Sequence, residues 1–203
     1  MKTVRKIEIS IAASVLILII AGIAGFAHTC NEVRQNVLRL HVVAASDSDE
    51  DQSLKLKVRD AVLKEGSDIF DGSVNMQNAV QKIEPELGRL TDAAQSVVRE
   101  NGFDYPVKVT LKREYFTTRT YDNVTLPAGK YLAVRVVIDE GKGHNWWCVM
   151  FPALCLPAAS DNCDIGAALG EDGEKLVCKN PRYEPRFKIV EWIESVKNKA
   201  EFR

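Results

Sequence analysis

The chain has 203 residues, 46% hydrophobic and 27% charged, and 27 basic against 28 acidic side chains leave a formal net charge of −1. That balance excludes a disordered chain and fits one globular domain with a real core plus appendages. It also excludes an electrostatically driven nucleic-acid binder, which needs a basic excess.

The first appendage is N-terminal. Lys2, Arg5 and Lys6 precede an uncharged apolar run over residues 9–27, with Gly25 and Ala27 as small residues near its end. These are the marks of a secretory signal. The run is also, at about nineteen residues, long enough to cross a bilayer, so left uncleaved it is an anchor. Cys30 does not fit a lipoprotein, because His28 and Thr29 stand where small residues are needed. Either way the remainder lies outside the cytoplasm. Removing residues 1–27 takes away three positive charges and one negative, Glu8, and leaves −3. Residues 28–36 read as a linker.

Residues 37–45 are β-rich and almost uninterrupted in apolar content, as in a central strand covered on both faces. His41 within it reads as a hydrogen-bonded core or edge histidine. Asp47, Asp49 and Asp51 have the spacing of the first ligands of a calcium loop, but Gln52 and Val58 occupy the positions that need glycine and glutamate. The segment fits a helix start instead, with Ser46 or Ser48 as cap and carboxylates in the first turn. Leu54, Val58, Ala61, Val62 and Ile69 then form one stripe, with Lys55, Arg59 and Lys64 outside it and Gly66 as its end. Met76, Val80, Ile83, Leu87, Leu90, Ala94 and Val97 continue in helical spacing over 74–100, where Pro85 forces a kink or two shorter helices. Asn101-Gly102 terminates them.

From Tyr105 the period becomes two. Val107, Val109 and Leu111 alternate with Lys108, Thr110 and Lys112. After a threonine- and aromatic-rich stretch and a turn at 127–129, Leu132, Val134, Val136 and Ile138 alternate with Tyr131, Ala133, Arg135 and Val137. An antiparallel meander is expected, closed by the stretch G-H-N-W-W-C-V-M-F-P-A-L-C-L-P at 143–157 as its last strand. Its tryptophans either anchor the core or, at alternating positions, present a partner-binding surface. Residues 158–185 have loop composition. A short final helix follows, with Ile189, Ile193, Val196 and Ala200 on one face, to dock on the domain or bind a partner.

Cys148, Cys155, Cys163 and Cys178 fall in the last third, which after export points to two disulfides of open pairing, with Cys30 left over. Cys148 to Cys155 is a candidate bridge, although a thiol can equally stay buried as a small hydrophobe. Catalytic chemistry is sparse. Cys148 four residues after His144 is the one nucleophile-and-base pair available, and it defines the alternative of an exported thiol hydrolase. Its place in a strand and the absence of a third, orienting group count against it. With His28, His41 and His144 as the only histidines and no C-x-x-C, no metal or cofactor site is expected.

V-L-R-L-H-V-V-A-A-S-D-S-D-E-D-Q-S-L-K-L-K-V-R-D-A-V from Val37, L-P-A-G-K-Y from Leu126 and G-K-G-H-N-W-W-C-V-M-F-P-A-L-C from Gly141 resemble the stage II sporulation protein R family of endospore-forming Firmicutes. F-K-I-V-E-W-I from Phe187 resembles that family's C-terminal end. The resemblance implies a non-enzymatic signal, exported into the space between forespore and mother cell. There it would activate a membrane-bound aspartic protease that processes the precursor of the early mother-cell sigma factor. The candidates for that contact are Asn145, Trp146, Trp147 and Phe151; the membrane is touched only through the N-terminal segment if it stays uncleaved.

The expected fold is α+β, an antiparallel sheet covered by a helical layer, with an N-terminal apolar helix and a C-terminal helix. The divisions are 1–27, signal or anchor; 28–36, linker; 37–157, domain; 158–185, cysteine-containing loop; and 186–203, final helix.

Overall fold

In the computed structural model, residues 2–70, 73, 75–121, 124–152, 166–178 and 185–201 are described. Among them are helices α1 (Lys2–Gln35), α2 (Asp49–Phe70), α3 (Met76–Ile83), α4 (Leu87–Glu100), α5 (Gly166–Cys178) and α6 (Pro185–Glu201). The strands are β1 (Leu38–Val43), β2 (Val107–Phe116), β3 (Arg119–Tyr121), β4 (Val124–Leu126), β5 (Gly129–Ile138) and β6 (Asn145–Phe151). The α+β class holds, with mostly antiparallel pairing.

The simple meander does not hold. The sheet order is β2-β5-β1-β6: β5 pairs antiparallel with β2 but parallel with β1, and β6 pairs with β1 rather than with its chain neighbour β5. The physical reason lies in β1 itself. All six of its residues are buried, so it needs cover on both edges and both faces, and only a central position supplies that.

One face carries the helical layer. Leu54, Val58 and Val62 of α2, Ile83 of α3, and Leu90, Ala94 and Val98 of α4 pack on Leu38, Leu40, Val42, Val134, Val136 and Ile138. The break between α3 and α4 falls at Pro85, as its missing N–H demands. Ser48 caps α2, its hydroxyl accepting from the Asp51 amide at 3.2 Å, and Asn75 caps α3. Gly66 does not end α2; the helix runs to Phe70, and a Cβ at Gly66 would run into Met150 of β6. The glycine therefore allows close helix-to-sheet approach. Lys55 is buried, not outside the stripe, because its ammonium reaches back to the turn before β6.

Among the described residues, the second face is covered only at one end. Val33, Leu169 and Val177 from α1 and α5, with Val124 and Leu126 of the β3-β4 hairpin, pack on Phe116, Tyr131, Ala133 and Val149. Two further expectations are corrected here. Residues 28–35 are not linker but the last turns of α1, where Cys30, Val33 and Arg34 are buried. Residues 166–178, expected as loop, form α5, interrupted at Gly170 with φ 69°. Their buried Leu169 and Val177 lie on either side of that interruption. On α6 the buried residues are Phe187 and Val190, while Ile189 and Val196 face outward.

Candidate functional site

The uncovered end of the second face is a lattice of side chains in register. Reading across β2, β5, β1 and β6, one row is Lys108, Val137, Val43 and Asn145; the next is Thr110, Arg135, His41 and Trp147; the third is Lys112, Ala133, Arg39 and Val149. Period-two alternation puts these side chains opposite the helical layer. Among them Lys108, Lys112 and Asn145 are exposed, and Arg135 and Trp147 half-buried.

Arg39 forms the floor. It is fully buried, beside the small Ala133, and its guanidinium lies 4.3, 5.1 and 5.4 Å from the ring centres of Phe116, Tyr131 and Tyr121. Its Nε donates to the Cys148 carbonyl at 3.0 Å and its Nη2 to the Tyr121 hydroxyl at 2.5 Å, while Nη1 has no hydrogen-bond partner. Burial pulls the Arg39 pKa down, with the neighbouring tyrosines opposing. The Tyr121 hydroxyl in turn donates to the Trp147 carbonyl at 3.2 Å. Arg39 thus ties β6 and β3 to the central strand.

Above this floor stands His41. Its Nδ1 is 2.7 Å from Glu114 Oε2 and its Nε2 2.7 Å from Asn145 Oδ1. The ring stacks on Trp147 at 3.9 Å and 13°. Glu114 also meets Lys112 at 2.9 Å and Arg135 at 3.6 Å. Burial works to raise the Glu114 pKa, but hydrogen bonds and charge from His41 and Lys112 outweigh it and bring it down to about 2. Both nitrogens of His41 are engaged, which leaves neither to take a proton from a substrate. The array suits recognition better than proton transfer.

A loop clamp positions the start of β6. The amides of Lys142 and Gly143 donate to the carbonyls of Ala45 and Ala44, at 3.2 and 3.0 Å. The His144 amide donates to Asp47 at 2.6 Å, and Lys55 Nζ donates to the His144 carbonyl at 3.2 Å. Gly143 is required because a Cβ there would overlap the Ser46 carbonyl. The Asp47 segment, read from sequence as a helix start, therefore also holds Asn145 in reach of His41.

The four candidate contact residues do not share one surface. Asn145 and Trp147 belong to the open face. Trp146 points to the helical side, 36% exposed, with the Arg59 guanidinium 4.4 Å from its ring. Phe151 is buried against Phe70, ring centres 5.8 Å apart. Arg39, Glu114 and Arg135, which build most of the site, were not singled out from the sequence; a lone arginine within an apolar β run was the available signal for the first. Nor does the structure assemble the thiol pair. Cys148 is disulfide-bonded and buried on the helical side, whereas His144 is exposed and its Nδ1 rests on Asp47 at 2.5 Å. Cys178 is also disulfide-bonded, Cys30 is free and buried, and Cys155 and Cys163 lie outside the described residues.

Comparison with known proteins places this geometry in context. The family model described as stage II sporulation protein R matches residues 34–161. Stage II sporulation protein R of Bacillus subtilis (strain 168) is 33% identical over 147 residues, which is 72% of this chain and 64% of the relative. No solved structure matches.

Proposed function

This chain belongs to the stage II sporulation protein R family, and from that premise we propose that it is an exported signal rather than an enzyme. It acts in the space between forespore and mother cell, on a membrane-bound aspartic protease that processes the precursor of the early mother-cell sigma factor. The observation that carries this reading is the open end of the second sheet face. Exposed Lys108, Lys112 and Asn145 and half-buried Arg135 and Trp147 are held there in fixed register around the buried His41, as a partner-binding surface requires. The apolar N-terminal helix supports export.

The mechanism is differential binding. A ligand activates a receptor only if it binds the active state better than the inactive one, since equal affinity shifts nothing. Asn145 and Trp147, with Lys108, Lys112 and Arg135 beside them, make that contact; Trp146 and Phe151 hold the opposite side of β6.

Co-expression of this chain with the protease and the sigma-factor precursor in a non-sporulating host tests the reading. Precursor cleavage that requires the chain, and persists with Cys148→Ser in an intact fold, is expected. Cleavage lost in folded Cys148→Ser protein would overturn it in favour of thiol chemistry.

A further inference from the structure

We propose that the first two turns of α6 lie in the headgroup layer of the membrane that α1 enters, with Trp192 as the interfacial anchor. Three observations converge on this. First, α1 runs without a break from its apolar span into the buried Cys30, Val33 and Arg34, so the level at which the span ends is fixed relative to the domain in this structure. The charges Lys2, Arg5 and Lys6 at the other end orient the helix with the domain on the exported side.

Second, α6 rises beside α1 from the level at which the uncharged run ends. Phe187 packs edge-on against Phe26 with ring centres 5.3 Å apart, and Glu194 meets Arg34 at 3.5 Å. Between the helices lies an apolar cleft of about 310 Å³, where Leu18, Ile19, Gly22 and Ile23 face Ile189 and Val190. With α6 parallel to α1, as the Phe26–Phe187 and Arg34–Glu194 contacts set it, a rise of about 1.5 Å per residue puts the Ile189 backbone roughly 3 Å and the Trp192 backbone roughly 7.5 Å beyond the Phe26 level, with the Ile189 side chain reaching back to the cleft. The headgroup layer is about 5–8 Å deep on each side of the hydrocarbon, so both side chains fall within it.

Third, these are the side chains the fold leaves uncovered. Ile189 is 42%, Trp192 68% and, a turn further along α6, Val196 49% exposed; Lys188, its ammonium 3.4 Å from Glu191, flanks the first two. Tryptophan beside lysine at the end of an apolar span is the composition of a membrane interface, where the ring sits among headgroups and the ammonium reaches water. The stripe is continuous with the lipid-facing surface of α1, which makes the bilayer its occupant. The proposal depends on α1 entering the membrane, and not on the receptor proposed above.

The test is the full chain reconstituted in phosphatidylethanolamine–phosphatidylglycerol vesicles, with the spectrum of Trp192→Phe subtracted to isolate Trp192. The expected result is emission blue-shifted from that of aqueous tryptophan, and quenching that is stronger for lipids brominated near the headgroup than for those brominated near the chain end. Emission at the aqueous position with free access to iodide would overturn the proposal. So would blue-shifted emission that bromolipids leave unquenched, because the ring would then be covered by protein, such as a second copy. Precursor cleavage is not read in this experiment, so its outcome is separable from that of the signalling reading.

Discussion

Arg39 and His41 are two residues apart on one strand and face the same way, yet they serve different ends. Arg39 is a buried cation whose polar bonds are a carbonyl and a hydroxyl and whose surroundings are three aromatic rings. Arg39→Ala is predicted to destabilise the fold by about 3 kcal/mol or more, since it opens a cavity and removes the donor that Arg39 Nε supplies to the Cys148 carbonyl. Arg39→Met is predicted to cost less, because it refills the cage and removes the desolvated charge. Thermal unfolding of the two variants would show this order, and a near-neutral Arg39→Ala would contradict it. Glu114 supplies a pH signature. Its folded-state value of about 2 lies below the ordinary 4.5, so the unfolded chain binds its proton first as pH falls. The stability it contributes, roughly 3 kcal/mol at most, is present above pH 4.5 and is lost between there and pH 2. Glu114→Gln should flatten that part of an acid-unfolding curve. Of this site the sequence made His41 legible as a bonded histidine and marked Trp147 as important. It could not reveal Glu114, two of whose three partners, His41 and Arg135, come from other strands.

At the scale of elements, the helices and strands with strong periodicity were readable one by one, including the break at Pro85. Their pairing was not. Local alternation determines which face a strand buries and says nothing about its neighbour, so β1 was readable as a central strand while its pairing with β5 and β6 was not. The consequence reaches the candidate site, because inserting β1 is what brings His41 between Arg135 and Trp147. The turn that makes the insertion possible carries its own test. Gly143→Ala would force a Cβ into the Ser46 backbone and is predicted to cost about 2 kcal/mol or more, loosening the start of β6. Gly88 in α4 meets nothing within 4 Å, so Gly88→Ala should stabilise by about 0.5–1 kcal/mol. Opposite shifts in melting temperature are expected; shifts of the same sign would mean that the turn is not under the constraint described.

For the molecule as a whole, the division between appendage and domain lies earlier than composition indicates. Charge and small residues put a boundary near residue 27, but Cys30, Val33 and Arg34 belong to the packing of α5, α6 and β5. A chain starting at residue 28 is predicted to keep a cooperative unfolding transition, whereas one starting at 37 loses Val33 and Arg34 and with them the cover of the second face. Circular dichroism melts of the two would distinguish a structural role for 28–35 from that of a linker. The proposed partner contact is the central claim, and Lys108 and Asn145 are two of its three exposed residues. The decisive measurement is precursor cleavage in the reconstituted host by Lys108→Glu with Asn145→Ala, compared with Trp146→Ala on the opposite side of β6. The account predicts that the double variant folds but fails to trigger cleavage, while Trp146→Ala retains it. Wild-type cleavage from a folded double variant, with loss confined to Trp146→Ala, would contradict it.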